Sequence, residues 1–233
     1  MKKITIALFL SLTVTFLAQA QSNFRFGIQA SPSFSWLSTS DNNINGNGAN
    51  LGLKLGLTGE YDIAENYSII GGLNFAFNHG GTLKYNKGGK YWPSVTSDML
   101  PDGVNLKYNL QFVEIPFGMK MRTNEFGLLR YYAELPVFTL GIVTKSNGDI
   151  KGTSGLDKEK ENISKEVNGF NIAWGLGAGV EYEISSSTKL IGGFAFQKYF
   201  FDLTENSGLI GGSQTEDSKA SMSTLTFKIG VIF

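Results

Sequence analysis

Two neighbouring runs, QFVEIPFGMKMR at 111–122 and LLRYYAELPVFTLGI at 128–142, place a large apolar side chain at about every second position. In the first, Val113, Ile115, Phe117, Met119 and Met121 share one face, opposite Glu114, Pro116, Gly118, Lys120 and Arg122. In the second, Tyr131, Ala133, Leu135 and Val137 oppose Tyr132, Glu134, Pro136 and Phe138. A period of two sustained over about a dozen residues predicts strands longer than soluble sheets usually contain. It matches the roughly 9–11 tilted residues with which a strand crosses a bilayer.

Composition agrees with a membrane barrel. Mean hydropathy lies near zero, which excludes a bundle of transmembrane helices but not a barrel whose two faces average out. Residues 1–20 read as a secretory signal: Lys2 and Lys3, an apolar core from Ile4 to Leu17, and the small-x-small site Ala18-Gln19-Ala20. The mature protein is then expected to begin at Gln21, with 21–233 forming one barrel domain. Removing the signal takes two lysines from 20 basic and 20 acidic side chains, and so small an imbalance offers nothing to nucleic acid. There is no cysteine, so an exported chain must gain stability without disulfides.

Eight strands are predicted, at about 23–36, 50–61, 66–78, 104–122, 129–143, 168–184, 188–202 and over the C-terminus. Their connections alternate long and short. The four long loops, 38–49, 79–103, 144–167 and 203–219, fall on one side and three short turns on the other. This is the asymmetry of outer-membrane barrels, which puts both chain ends in the periplasm. The two central strands each change phase, so a bulge is expected near Pro116 and another near Pro136.

The bulky face carries Phe, Leu, Ile, Trp and Tyr on nearly every strand. The opposite face is rich in Gly, Ala, Ser, Thr and Asn. An eight-stranded barrel has little room inside, so the bulky face belongs outside against lipid, and a closed ladder satisfies the backbone there. The fold class is therefore all-β, an eight-stranded antiparallel transmembrane barrel. The alternative, a soluble carrier barrel, would need the bulky face inside. The lumen is predicted to receive Arg25, Lys54, Lys120 and Lys228 beside Glu60, Glu114, Glu134, Glu181 and Glu183, as a salt-bridged plug. Aromatic belts are expected from Tyr61, Tyr67, Tyr131, Tyr132 and Tyr182 near the short turns. Trp36, Tyr85, Tyr91, Trp92, Tyr199 and Phe200 would form the other belt.

At FVEIPFGMK (112–120) and YYAELPVFTLG (131–141) the chain resembles the PorT-like outer-membrane β-barrel proteins of Bacteroidota, which carry a YLEIP strand followed by one with E-L-G-P. GLGAGVEYEI at 175–184 and the terminal KIGVIF are similar too, while Leu135 stands where the family usually has glycine. The resemblance implies outer-membrane location and insertion by the barrel-assembly machinery. The namesake of the family serves the type IX secretion system. No functional residue carries over.

Candidate chemistry is sparse. His79, the single histidine, could be read with Ser94 or Ser97 and Asp98 as an acyltransferase site, or as a plain residue at the loop mouth. One histidine argues against a transition-metal centre. Asp41 and Asp149 are candidate calcium ligands without a recognised spacing. Glu114 and Glu134 could form an acid/base pair or bind Lys54 and Lys120. Gly175-x-Gly177-x-Gly179 resembles a phosphate turn without its helix, and otherwise fits the small face of a strand. The run DKEKENISKE, 157–166, reads as a solvated loop, with a short helix or partner site as the alternative. No catalytic residue, cofactor or metal is assigned. The expected role is that of a non-enzymatic surface scaffold or binding protein, an accessory of an export or envelope complex. Its partners would be outer-membrane lipid, the assembly machinery and envelope or secretion proteins, with Tyr85, Tyr91 and Trp92 as the external contact. The alternatives are a narrow solute channel and an outer-leaflet lipid-modifying enzyme.

Overall fold

The computed structural model describes residues 23–152, 155–205 and 208–233; the expected signal segment lies outside them. Eight long strands form the body: β1 (Phe24–Thr39), β2 (Ala49–Ala64), β3 (Tyr67–Tyr85), β4 (Val104–Arg122), β5 (Leu129–Lys151), β6 (Phe170–Ser185), β7 (Thr188–Tyr199) and β8 (Ala220–Ile232). Each pairs antiparallel with its chain neighbours, and β1 pairs with β8 to close the ring. At the closing seam Phe233 N donates to Phe26 O at 2.7 Å, and Phe26 N donates back to Phe233 O at 3.3 Å. Pro32 has no N–H and interrupts this ladder between the Gln29–Gly230 and Ser33–Thr226 pairs. There Ser31 Oγ accepts the N–H of Ile229 at 3.3 Å. Closure matters because an unpaired edge in hydrocarbon would strand polar backbone groups at several kcal/mol each.

The predicted faces are those observed. Leu51, Leu53, Leu55 and Leu57 of β2 point outward, as do Phe26, Ile28 and Phe34 of β1, and all are exposed. Their inward neighbours Asn50, Lys54 and Glu60 on β2, and Ser31, Ser33 and Ser35 on β1, are buried. Short turns at 65–66, 123–128 and 186–187 lie at the end that holds both Phe24 and Phe233.

The long-loop end differs from expectation. β3 runs on to Tyr85 and β5 to Lys151, well past the predicted ends at 78 and 143. With β4 they form a tall wall, flanked by short strands at Ile44–Gly46 and Lys158–Asn162. The charged run at 157–166 is thus partly an edge strand rather than a plain loop or helix, and its alternating Lys and Glu are the kind of sequence that blunts an edge. On this wall the polar residues face out. Leu83, Tyr85, Val104, Leu106, Tyr108, Leu110 and Ile150 face in, where they join one hydrophobic core with Leu37, Trp92, Ile163, Leu203 and Met222. The alternation therefore continues from lipid into water with its chemistry reversed.

This reversal also explains β4, where no phase change occurs. Leu106, Tyr108, Leu110, Phe112, Glu114, Lys120 and Arg122 all face inward in one unbroken alternation, apolar above and charged below. The expected bulge at Pro116 is absent, and Pro116 pairs in register with Thr139. The bulge at Pro136 is present: Gly118 pairs with Val137 but Lys120 with Glu134, leaving Leu135 and Pro136 against Met119. Past it, Thr139 and Gly141 replace Tyr132 and Glu134 on the inward face. Another irregularity lies in β3 between Ala76 and His79, where Asn78 adopts φ 58°, a left-handed conformation that asparagine tolerates.

Outward placement of Leu55 predicts that Leu55→Lys lowers stability in lipid vesicles by about 2–4 kcal/mol, the depth-dependent penalty for a mid-bilayer cation on a barrel. Urea titration read by heat-modifiable gel migration measures it.

Candidate functional site: the charged lumen and its hydrophobic cap

Side chains projected inward from β1, β2, β4 and β6 meet near the short-turn end. Lys120 Nζ lies 2.7 Å from Glu60 Oε1 and 2.6 Å from Glu181 Oε1. Arg122 Nε lies 2.9 Å from Glu181 Oε1, and its Nη2 pairs with Glu60 Oε2. Arg25 bridges Glu60 at 3.2 Å and Asp62 at 2.7 Å. The Lys120 ammonium also stands 4.3 Å from the centroid of the Tyr132 ring. Room for that ring comes from glycine, since a Cβ on Gly179 would collide with the Tyr132 hydroxyl and with Gly192 O.

Higher in the lumen Lys228 pairs with Glu134, and Lys54 Nζ binds both oxygens of Glu114 at 3.1 and 2.9 Å. Lys54 also donates to Gln197 Oε1 at 2.6 Å, and Tyr199 OH donates to Glu114 Oε1 at 2.5 Å. Between these groups lies a cavity of about 60 Å³, lined by Gln29, Asn74, Glu134, Gln197, Thr226 and Lys228 among others. It has both polar and apolar lining and is large enough for water beside the polar groups. Five cations (Arg25, Lys54, Lys120, Arg122, Lys228) are matched by five carboxylates (Glu60, Asp62, Glu114, Glu134, Glu181). Ions buried in a low dielectric need such pairing, because each carries a desolvation penalty of several kcal/mol.

Above the charges sits the hydrophobic cap. Trp92 Nε1 donates to Tyr108 OH at 3.2 Å, with ring centroids 5.3 Å apart and near perpendicular. Gly148 leaves the slot that the Trp92 ring fills. Burial pushes the Tyr91 hydroxyl up to about 12, and the nearby Glu216, Asp102 and Asp41 add to this. Burial likewise pushes Tyr85 well up.

The predicted residues fall into three groups. Arg25, Lys54, Glu60, Glu114, Lys120, Glu134, Glu181 and Lys228 converge in the lumen. Glu183 does not: it sits at the rim, 3.9 Å from Lys189, because the inward face there opens to water. Arg122 and Asp62 are missing from the predicted network, although Arg122 alternates with Lys120 and Asp62 with Glu60 in the same pattern. Tyr85, Tyr91 and Trp92, expected to form an external contact and part of a belt, are instead 3%, 4% and 3% exposed. Outside lipid, aromatic surface packs inward. Tyr132 and Tyr199 also leave the belts for the interior.

His79 is fully buried, with Nε2 2.9 Å from Ser33 Oγ and no partner for Nδ1. The bulge at Asn78 turns it into the lumen, away from the loop mouth. Asp98 instead accepts a hydrogen bond from Thr96 Oγ1 at 2.9 Å, and the Ser94 N–H goes to Glu166 at 2.9 Å. Asp41 and Asp149 accept the backbone N–H groups of Asn43 and Lys160. Among the described residues no three potential ligands converge as a metal site. Glu114 and Glu134 each have their own lysine, and Gly175, Gly177 and Gly179 line the inward face of β6.

A closed ring with an apolar girdle and a neutralised polar lumen defines an outer-membrane β-barrel. Residues 18–209 match the family described as outer membrane protein beta-barrel domain, and the chain belongs to that family. Similar solved structures include Neisserial surface protein A (14% identity, 89% of this chain and 95% of that one, TM-score 0.41). Others are OprG of Pseudomonas aeruginosa (9%, 91% and 96%, TM-score 0.40) and Ail of Yersinia pestis (11%, 89% and 99%, TM-score 0.35). No curated protein sequence matches the chain.

Two outcomes are expected from this geometry. Lys120→Met leaves Glu60 and Glu181 short of a shared cation and should destabilise the barrel by about 3–5 kcal/mol, measured by urea unfolding in vesicles. Tyr91 ionises near pH 10 when unfolded but at about 12 when folded. Its stabilising contribution is therefore complete below pH 10 and lost as pH rises towards 12. Alkaline titration of tyrosinate absorbance should show Tyr91→Phe removing a late-ionising hydroxyl.

Proposed function

We propose that this protein is a closed, non-enzymatic outer-membrane barrel that acts as a surface scaffold or binding protein within an export or envelope complex. The observation that carries the reading is the lumen. Salt bridges around Lys120, the Lys54–Glu114 and Lys228–Glu134 pairs, and the cap around Trp92 occupy successive levels of it. A barrel so filled serves as a rigid anchor, and what it offers a partner is its outer surface.

Further support comes from the residues themselves. The inward turn of His79 onto Ser33 argues against the lipid-modifying alternative, which needs a histidine open to the outer leaflet. The EIP strand at 114–116 supports kinship with the PorT-like proteins and insertion by the barrel-assembly machinery, while Lys2, Lys3, the apolar core and Ala18-Gln19-Ala20 support export through a cleaved signal at 1–20. The long-loop end then faces the exterior.

Two measurements test this. In planar bilayers the purified protein should give no unitary current steps, whereas a stable ohmic conductance would favour the narrow-channel alternative. Pull-down of the tagged native protein in mild detergent should recover envelope or export components in stoichiometric amounts. Recovery of the barrel alone counts against the accessory role.

A further inference from the structure

On the outer wall, where β7, β8 and β1 rise out of the apolar girdle, lies a cleft of about 370 Å³ lined by Ser38, Ser40, Lys198, Phe200, Lys219 and Ser221 among others. Two residues below Ser38 and Lys198, on the same outward face, Trp36 and Phe196 lie with ring centroids 6.4 Å apart. Tryptophan at such a position marks the boundary between lipid and water. Lys198 Nζ donates to Ser221 Oγ at 2.9 Å and to Ser38 Oγ at 3.4 Å, which holds the ammonium at the cleft.

The charge here is uncompensated. The lumen cations are paired, but neither Lys198 nor Lys219 has an ion-pair partner among the described residues. The charge that acts on Lys198 is the like-signed Lys219. Asp202, at the start of the following loop, uses Oδ1 on the backbone N–H groups of Thr204 and Ala220 at 3.1 and 2.9 Å. Two lysines and several hydroxyls converge on one cleft, a donor set that suits an anion with several oxygens. Phe200, exposed at its edge, offers an apolar contact to whatever carries that anion.

We propose that this cleft binds a phosphate group, and that the phosphate is the headgroup of a phosphorylated lipid in the outer leaflet. The level of the cleft, immediately above the Trp36–Phe196 pair, is where such headgroups lie. Basic residues at a membrane surface attract anionic lipid by about 1 kcal/mol each.

Native mass spectrometry of the full chain in neutral detergent tests the site, with bis-phosphorylated lipid A, the same lipid without phosphates, and inorganic phosphate as probes. Heat-modifiable migration confirms that Lys198→Gln, Lys219→Gln and the double variant are folded. The wild type should retain the phosphorylated lipid over the dephosphorylated one. Each substitution should lower that preference roughly fivefold, and the pair about 30-fold. Equal retention of the two lipids by the wild type together with no saturable binding of inorganic phosphate, or an unchanged preference in the folded double variant, overturns the site. Saturable binding of inorganic phosphate, lost in the double variant and without any preference between the lipids, would keep the phosphate chemistry and overturn its lipid source.

Discussion

The structure depends first on the backbone's need for hydrogen bonds where no water is present. Inside a bilayer an open sheet edge has no partner, so the eighth strand must return to the first. The Phe26–Phe233 exchange completes that return at the last residue of the chain. Where Pro32 cannot donate, Ser31 accepts the N–H of Ile229 in place of a ladder bond. Because neighbours pair in chain order and the closing pair is antiparallel, the strand number is even and the first strand lies beside the eighth.

Closure in turn gives the chain two faces whose meaning depends on height. Within the girdle the outward face meets lipid and must be apolar, so polar groups go inward, and Leu53 and Leu55 flank Lys54. Above the girdle the outward face meets water. The same strands then turn Leu106, Tyr108 and Leu110 inward, with Asn105, Lys107 and Asn109 outside. One strand, β4, carries both regimes without a break in its alternation. The upper barrel is in effect a small water-soluble β-structure with its own core, built on a membrane anchor.

The lumen has the opposite difficulty, too much polarity in too little space. Matching charges lower the desolvation penalty, and glycine on β6 makes room for the Tyr132 ring and the Glu134 carboxylate. The result is a filled cross-section, and the proposed scaffold role rests on it. Function, on that account, is carried by what the wall and cap present outside.

Much of this was legible in the sequence. Period-two alternation, the bulky and small faces, the long and short connections and the lumen charges depend only on local spacing and on what lipid excludes. The bulge at Pro136 was legible for the same reason. The rest depended on distant partners. Tyr85, Tyr91 and Trp92 read as exposed because they sit in a polar stretch, and only the tall wall of β3, β4 and β5 shows that they have a core to enter. His79 moved inside because one extra residue at Asn78 shifts the phase, a displacement set by pairing with β4. The cleft between Ser38, Lys198, Lys219 and Ser221 joins residues more than 150 positions apart, which only the closed ring brings together. Strand chemistry is local and can be read along the chain; register, height above the membrane and ring closure are relations between strands, and only the tertiary structure decides them.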